Sequence, residues 1–312
     1  MNNAIYINAK MNDDERRAGL HEGQLYVYSP RKTSLAFTGF AKEMICDEFH
    51  STDPTLAQFD MPVEDFVKIF APLKPAFIHH PQTKQLIQEM LLDFGCDMEN
   101  TYLDVPRLRA VTSDAYLTSG VGYAHHPHRD TWYSAPMCQI NWWLPIFPMA
   151  SESSMAFHPQ YWNQAIVNGS ADFNYYEWNS TSRAHAAQHI KSDTRPQPKP
   201  LEPVQLDPQI RLVTEPGGCI MFSAAQLHST VPNTSGRTRF SIDFRTVHLQ
   251  DLRSRKAAPN VDSEPLGTSL RDFMRGVDLT PLPDDVIQAY DNAPVNEGVL
   301  IFSPERIATT ES

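Results

Sequence analysis

Two separate segments of the chain carry side chains that could hold a metal ion. The first contains His128 and Asp130, one residue apart, and the second contains His228, about 100 residues further on. On an extended backbone, residues i and i+2 project from the same face, so His128 and Asp130 could grip one ion together. A chain with 12 histidines and many aspartates is expected to contain about one such pair by chance, so for the pair taken alone a surface turn is the favoured explanation.

The residues before His228 strengthen the interpretation that these side chains bind a metal ion. A turn at Pro216–Gly218 leads into the apolar segment Cys219–Ser223, and His228 follows. Two imidazoles and one carboxylate form the ligand set that suits non-haem Fe(II) and leaves three coordination positions open for a bidentate 2-oxoacid and dioxygen. The order of these residues therefore predicts a catalytic metal centre.

An arginine, Arg239, lies eleven residues after His228. The distal carboxylate of a 2-oxoacid such as 2-oxoglutarate needs a planar, permanently charged partner, and Arg239 supplies one. Along the predicted strand the polar residues share one face and the apolar residues share the other: Arg239, Ser241, Asp243 and Arg245 against Phe240, Ile242 and Phe244. We predict that Arg239 and Ser241 bind the co-substrate. For Asp243 and Arg245 a solvated sheet face remains an equal alternative.

The elements that position these residues differ along the chain. Apolar residues recur at three and four positions in 37–45, 63–70 and 86–94, which predicts packing helices, the last beginning at Pro81 and ending before Gly95. From about residue 107 short β-branched and aromatic runs predict antiparallel strands: Leu108–Thr112, Met137–Phe147, Ser154–His158, Ile210–Thr214, Cys219–Ser223 and Arg239–Val247. The tail is polar, with one or two short helices expected at Leu270–Arg275 and Asp284–Tyr290.

The pattern His128-x-Asp130, His228 and Arg239-x-Ser241 resembles that of the Fe(II)/2-oxoglutarate dioxygenases, and its surroundings look most like the phytanoyl-CoA dioxygenase-like branch. The resemblance covers roughly residues 116–247. It implies Fe(II) as cofactor, 2-oxoglutarate and O2 as co-substrates, and Thr230 as a further co-substrate-binding residue. Related halogenases replace the carboxylate ligand with a small residue, so Asp130 argues against halogenation. The family's common Pro-Gly-(Ser/Thr)-His is replaced here by Pro159–Trp162, which predicts an unusual lid.

The fold that the resemblance implies is mainly β with α: a double-stranded β-helix, that is, a cupin-like jelly roll, buttressed by N-terminal helices. We expect one catalytic domain over residues 1–312. Residues 1–105 are expected to be mainly helical support, 106–248 to form the jelly-roll core with a lid insertion at about 161–206, and 249–312 to form a C-terminal tail with short helices.

The substrate pocket is predicted from residues close to the ligands in sequence: Arg129, Trp132, Tyr133, Gln139, Asn141 and Trp143. For the aromatic residues, plain core packing is the alternative. Gln139 and Asn141 are more informative, because buried amides require hydrogen-bond partners. His125 and His126 are expected to support the ligands or to lie at the surface.

The reaction that the resemblance implies is oxidation of a C–H bond of a small metabolite, with release of succinate and CO2, and the small-molecule substrates typical of this branch suggest a role in natural-product biosynthesis. Hydroxylation is the default outcome; desaturation, cyclisation and demethylation remain open. Two other readings stay open as well: a jelly-roll metalloenzyme that does not use 2-oxoglutarate, and a non-catalytic cupin-like metal-binding module.

Composition narrows the classes of partner. The formal net charge of −11 would repel a phosphate backbone, so we expect no nucleic acid. No apolar run approaches the roughly 18 residues needed to span a bilayer, so we expect no membrane partner and a cytoplasmic protein. As a separate expectation, the protein is a monomer or a homodimer. The four cysteines lack CxxC spacing and are predicted to be reduced: Cys46, Cys96, Cys138 and Cys219.

Overall fold

The computed structural model describes residues 4–119, 126–182 and 197–299. Within these ranges the chain forms a sheet-rich core of one eight-stranded and one three-stranded sheet, with helices packed on the larger sheet. No described helix is long and apolar enough to cross a membrane. The four cysteines are free thiols, as predicted.

The strands, in chain order, are β1 Ile5–Ile7, β2 Leu25–Tyr28, β3 Thr101–Leu103, β4 Arg107–Val111, β5 Ile140–Pro145, β6 Met155–Phe157, β7 Ile210–Leu212, β8 Cys219–Ser223, β9 His228–Thr230, β10 Arg239–His248 and β11 Met274–Arg275. The helices are α1 Asp13–His21, α2 Lys32–Phe49, α3 Ala57–Asp60, α4 Val63–His79, α5 Pro81–Asp93, α6 Tyr175–Glu177, α7 Leu249–Ser254 and α8 Asp284–Gln288. Short 3₁₀ turns include Asp130–Tyr133 and Ser269–Asp272.

The larger sheet has the order β1-β2-β8-β5-β10-β3-β11, and β4 also pairs with β10. The smaller sheet has the order β7-β6-β9. Strand β10 is antiparallel to β5 on one side and to β4 and β3 on the other, with Arg245 directly opposite Asn141. This long central strand therefore places residues from both predicted site segments on one sheet.

The apolar face of β10 packs against the N-terminal helices. Phe240 lies 5.6 Å from Phe70 of α4 between ring centroids, and Phe244 lies 6.4 Å from Phe37 of α2. Phe240, Phe244 and Phe37 are fully buried. At about 25 cal/mol per Å² of apolar surface, this layer of aromatic rings provides much of the hydrophobic stabilisation of the fold. The helices thus support the outer side of the sheet.

The turn before β8 requires a glycine. Gly217 has φ of +81°, and its N–H donates to the carbonyl of Pro145 at 3.0 Å. A Cβ at this position would lie 2.9 Å from the side chain of Leu35 in α2. The Pro-Gly-Gly segment therefore lets β8 enter the sheet beside β5 while lying close against a helix.

Helices α2, α4 and α5 agree with the predicted helices, and α5 begins at Pro81 and ends before Gly95, which has φ of +75°. The six predicted runs all contain strands. The prediction that 1–105 is mainly helical missed Leu25–Tyr28, which pairs with β8 in the main sheet. This strand has only four residues, all buried or partly buried, so its sequence shows no alternation of apolar and polar positions that would predict a strand. A helix over Leu270–Arg275 was also wrong, since a 3₁₀ turn and strand β11 occupy this segment.

Candidate metal centre and adjoining pocket

A backbone bridge brings the two predicted histidine ligands together. His128 and His228 pair in antiparallel fashion, the N–H of His128 donating to the carbonyl of His228 at 2.9 Å and the reverse bond measuring 3.0 Å. Their ring centroids are 4.4 Å apart. Residues that are about 100 positions apart in sequence are therefore held side by side by main-chain hydrogen bonds, which do not depend on a bound ion.

Asp130 completes a compact set of ligand atoms. Its Oδ1 lies 3.5 Å from Nε2 of His128 and 3.8 Å from Nε2 of His228. The three ligand atoms all lie within 4.8 Å of one another. Within the described residues this is the one group of three or more His, Cys, Asp or Glu side chains arranged to hold a metal ion.

The orientation of both rings is set by the main chain. Nδ1 of His128 donates to the carbonyl of His126 at 3.1 Å, and Nδ1 of His228 donates to the carbonyl of Gln226 at 3.0 Å. A histidine whose Nδ1 carries the proton presents a lone pair at Nε2. Both Nε2 atoms are therefore directed at Asp130 in the tautomer that can bind a metal.

The electrostatics favour the metal-binding forms of these groups. Burial lowers the pKa of His228 to about 4, with a further contribution from neighbouring His128. Burial acts to raise the pKa of Asp130, but the neighbouring His128 and the charge of Arg245 outweigh it and hold this pKa well below its ordinary range. At neutral pH His228 is therefore neutral and Asp130 is ionised, as metal ligation requires.

The second oxygen of Asp130 is held by the floor of the sheet. Nδ2 of Asn141 donates to Oδ2 at 2.8 Å, Nε2 of Gln139 lies 3.5 Å from it, and Nε of Arg245 lies 3.7 Å from it. Gln139 also donates to the amide oxygen of Asn141 at 3.0 Å. Gln139 and Asn141, predicted as substrate contacts, thus contact the carboxylate of the candidate ligand Asp130.

A pocket that opens to solvent includes two members of the triad in its lining. Asp130 and His228 line it, and so do Thr230, Arg239 and Trp143. Arg239 is buried: its Nη1 donates to the carbonyl of Ser153 at 2.9 Å, and its guanidinium lies 5.2 Å from the ring centroid of Trp143. The lining of the pocket therefore combines two of the candidate metal ligands with a guanidinium.

Two hydroxyl groups have no hydrogen-bond partner within the described residues: that of Thr230, which lines the pocket, and that of Ser241, which is two residues from Arg239 on β10 and is not part of the pocket lining. Oγ1 of Thr230 and Oγ of Ser241 are both buried. An unsatisfied buried hydroxyl costs about 1–3 kcal/mol, so such groups usually have a partner in the functional state of a protein. Both residues were predicted from sequence to bind a co-substrate beside Arg239.

The polar face of β10 is not a solvated sheet face. Asp243 forms an ion pair with Arg109 of β4, whose Nη2 lies 3.2 Å from Oδ2, and Arg245 lies 3.6 Å from the same carboxylate. Arg245 also contacts Asp104 at 3.3 Å. Burial acts to raise the pKa of Asp243, but the charges of Arg109 and Arg245 outweigh it and lower this pKa to about 2. Internal pairing therefore accounts for these charges at the pocket floor.

Arg129 and Trp132, two predicted pocket residues, lie elsewhere. Both are buried against Asp262, with Nε of Arg129 at 3.1 Å from its carboxylate and Nε1 of Trp132 at 2.8 Å. Arg129 also donates to the carbonyls of Tyr161 and Gln164 at 2.6 and 3.0 Å. The residue between the two ligands thus ties the metal-binding segment to the start of the predicted lid and to the tail, because a buried guanidinium needs several acceptors.

Tyr133 packs next to the metal centre without lining the pocket. Its ring centroid is 5.6 Å from that of His128, and its hydroxyl lies 3.0 Å from Nε2 of His126. Burial lowers the pKa of His126 to about 3. His125 lies outside the described residues, as does the middle of the predicted lid, 183–196.

Sequence reasoning missed Asp262 and Arg109. No local pattern marks Asp262, because its partners Arg129 and Trp132 are some 130 residues away in the chain. Arg109 had a weak signal, since Arg107 and Arg109 alternate with apolar residues on a predicted strand and so share a face. In the antiparallel register of β4 and β10, Arg109 lies opposite Ser241, and its guanidinium reaches Asp243 diagonally across the two strands.

The sequence matches no protein-family model and no curated protein. Solved structures with similarity to this chain include EvdO2 from Micromonospora carbonacea var. aurantiaca complexed with 2-oxoglutarate, at 12% identity over 56% of this chain with a TM-score of 0.33. This chain spans 62% of the length of EvdO2. The non-haem alpha-ketoglutarate-dependent epimerase SnoN from nogalamycin biosynthesis matches at 12% identity over 87% of this chain and 96% of its own, with a TM-score of 0.35. AviO1 from Streptomyces viridochromogenes Tue57 matches at 13% identity over 81% of this chain and 99% of its own, with a TM-score of 0.38.

These matches include enzymes of the class that the sequence resemblance predicts. At such identities and TM-scores they carry no argument about the reaction of this chain. That argument rests on the side chains of the metal centre and the pocket.

Proposed function

We propose that this protein is an Fe(II)- and 2-oxoglutarate-dependent oxygenase that uses O2 to oxidise a C–H bond of a small metabolite, releasing succinate and CO2. Hydroxylation is the simplest outcome. The observation that carries the proposal is the pocket itself, which is lined by the candidate ligands Asp130 and His228 together with Arg239 and Thr230. A metal site alone would have no need of a guanidinium at this position.

The donor set fits iron. Two neutral imidazoles and one carboxylate form a 2-His-1-carboxylate triad, which suits non-haem Fe(II) with open coordination positions. A structural zinc site would instead be closed by a fourth protein ligand, and the described residues supply three. His128, Asp130 and His228 would hold the ion.

The pocket beside the triad fits a dicarboxylate. Arg239 offers a bidentate partner for a carboxylate, and the buried hydroxyls of Thr230 and Ser241 lack partners among the described residues. Binding of the distal carboxylate of 2-oxoglutarate by these three residues would satisfy both hydroxyls. The face of Trp143, which already lies against Arg239, would cover one side of the bound molecule.

Iron with 2-oxoglutarate and O2 would supply the oxidising chemistry, and the chain supplies position and exclusion of water. The backbone bridge between His128 and His228 keeps two ligands in place before the metal arrives. Arg239 would orient 2-oxoglutarate so that its 2-oxoacid end points to the triad. The buried sheet floor would keep bulk water from the reacting atoms.

We further propose that the two sheets form a cupin-like jelly roll, or double-stranded β-helix, within one catalytic domain over residues 1–312. Every strand pair within the described residues except β1 with β2 is antiparallel, and the triad joins the two sheets, with His228 in β9 and Asp130 hydrogen-bonded to Asn141 of β5; both observations support this assignment. Residues 161–206 would form the lid insertion. Their described parts contact the tail, where Nδ2 of Asn168 donates to the carbonyl of Asp262 at 2.8 Å.

Anaerobic titration of the purified protein with Fe(II) and then 2-oxoglutarate tests the proposal. A visible charge-transfer band that needs both additions, followed by succinate release on admission of oxygen, is the expected result. Metallated protein that develops no band and releases no succinate would overturn it. Iron binding without any response to 2-oxoglutarate would favour a jelly-roll metalloenzyme that does not use this co-substrate.

A further inference from the structure

The two oxygens of the Asp130 carboxylate lie in different surroundings. Oδ1 faces Nε2 of His128 and Nε2 of His228, at 3.5 and 3.8 Å. Oδ2 faces the sheet, where Asn141 donates to it at 2.8 Å and the guanidinium of Arg245 lies at 3.7 Å. One oxygen is thus directed at the metal site and the other is occupied by protein donors.

The orientation of the Asn141 amide is itself determined by a neighbour. Gln139 donates to the amide oxygen of Asn141 at 3.0 Å, so the Nδ2 group of Asn141 must face Asp130. Gln139 and Asn141 are both buried, and side chains two residues apart on an extended segment point to the same side. A reversed amide would place two donors against each other and an oxygen against a carboxylate.

The cationic partner is also held in place. Arg245 sits directly opposite Asn141 in the register of β10 and β5. Its guanidinium contacts Asp104 at 3.3 Å and Asp243 at 3.6 Å in addition to Asp130. Gln139, just before β5, also lies 3.5 Å from Oδ2. Asn141 and Arg245 project from paired central strands, which are the most rigid part of a sheet.

We infer that Asn141, oriented by Gln139 and supported by Arg245, is a positioning residue that restricts Asp130 to metal ligation through Oδ1 alone. The inference rests on the proposed function. Ligation by one carboxylate oxygen keeps three positions open at the metal, whereas ligation by both would consume one of them. Removal of a residue that hydrogen-bonds to a metal ligand commonly changes metal affinity by about 10–100-fold.

Binding of Co(II) alone to the metal-free protein tests this without relying on turnover. We expect Asn141→Leu, which keeps the size of the side chain and removes the donor, to weaken Co(II) binding by about 10–100-fold. Gln139→Leu keeps Asn141 but removes the group that orients it, and we expect a smaller loss, of about 3–10-fold. This second variant keeps the inference testable where Asn141→Leu does not fold.

The matched control is Asn100→Leu. Nδ2 of Asn100 donates to Oδ2 of Asp97 at 2.8 Å, which is the same amide-to-carboxylate bond at an exposed position. This variant should bind Co(II) as the wild type does. A loss as large as that of Asn141→Leu would show that the effect is general and would overturn the inference.

A double-mutant cycle separates positioning of Asp130 from a general effect on the fold. In an Asp130→Ala background, Asn141→Leu should cause no further loss of Co(II) affinity, because the carboxylate that it positions is absent. An equal loss in both backgrounds, or wild-type affinity in the single variant, would overturn the inference. A wild-type protein that binds no Co(II) would instead overturn the proposed function, so the two failures are distinguishable.

Discussion

Side chains on the two faces of β10 differ in character along the whole strand. Phe240, Ile242 and Phe244 point to the helices and are fully buried in the aromatic layer. The opposite face carries Arg239, Ser241, Asp243 and Arg245, which point to the pocket side of the sheet.

The two faces of β10 therefore have different roles: the apolar face stabilises the fold, and the polar face is available to bind a ligand. The apolar face is satisfied by packing alone, since helices α2 and α4 cover it. The polar face is satisfied only in part: Asp243 and Arg245 pair with neighbouring charges, whereas the hydroxyl of Ser241 has no partner in the described part of the chain. A polar group that the fold leaves unsatisfied marks the place where a ligand can bind most favourably. Substitutions on the two faces should therefore affect different measurements.

The largest effect is expected at the ligand that the polar face supports. Asp130→Ala removes the carboxylate from the triad and should reduce iron-dependent succinate formation to the metal-free background. Activity is measured at saturating Fe(II) and 2-oxoglutarate, with circular dichroism to show that the variant is folded. Turnover like that of the wild type would exclude Asp130 as a ligand. It would also show that the polar face of β10 does not support a metal ligand.

On the apolar face, Phe240→Ala should lower the free energy of unfolding by about 3–5 kcal/mol, because it leaves a cavity in the aromatic layer. Urea unfolding of the metal-free protein measures this change. The Co(II) affinity of the folded fraction should stay the same. Phe59→Ala is the matched control, since Phe59 is exposed and its loss should change the free energy of unfolding by less than about 0.5 kcal/mol. A selective loss of Co(II) affinity in Phe240→Ala would break the separation between the two faces.

Much of this arrangement could be predicted from the sequence, because periodicity reports which face of an element is buried. The alternation along 239–247 placed Phe240 and Arg239 on opposite faces, and the three-and-four spacing around Phe37 identified the helix that covers the apolar face. The metal-binding set was recognisable because its residue types are chemically restrictive. The main-chain bridge that holds His128 beside His228 could not be read from sequence, since it depends on the packing of two distant segments.

The prediction of which residues line the substrate pocket was less accurate, because closeness to a ligand in sequence does not determine where a side chain points. Arg129 lies between two ligands in the chain, yet its guanidinium is directed at Asp262. Asn141 is a pocket residue, but its amide is engaged with Asp130. In both cases the deciding partner is a charged group brought near by tertiary packing. Residue type could show that a partner was needed and could not show which one.

On the polar face, Arg239→Ala should raise the 2-oxoglutarate requirement far more than the iron requirement. Loss of a buried charge partner costs about 2–4 kcal/mol, roughly a 30- to 1,000-fold rise in the 2-oxoglutarate KM. Succinate release at varied 2-oxoglutarate, and separately at varied Fe(II), measures both. Arg237→Ala is the matched control, because Arg237 is exposed and contacts Asp53 and Thr55 away from the pocket. Equal rises in both requirements would make Arg239 a structural residue.

The smallest effect is expected for Ser241 on the polar face. It tests whether this side chain binds a ligand or only contributes to packing. Ser241→Ala should weaken 2-oxoglutarate binding by about 0.5–1.5 kcal/mol, the net value of one hydrogen bond, and should leave the free energy of unfolding unchanged or slightly raised. The reason is that the Ser241 hydroxyl is buried with no partner among the described residues, so the metal-free fold loses nothing when it is removed.

Ser229 provides the opposite case. Its buried hydroxyl lies 3.0 Å from Nε2 of His158, so Ser229→Ala should lower the free energy of unfolding by about 1 kcal/mol and leave the 2-oxoglutarate KM unchanged. If Ser241→Ala behaves like Ser229→Ala, its hydroxyl stabilises the fold and the unsatisfied state seen in the structure has no bearing on the co-substrate. Opposite responses of the two variants would show that the fold leaves this hydroxyl free for a ligand.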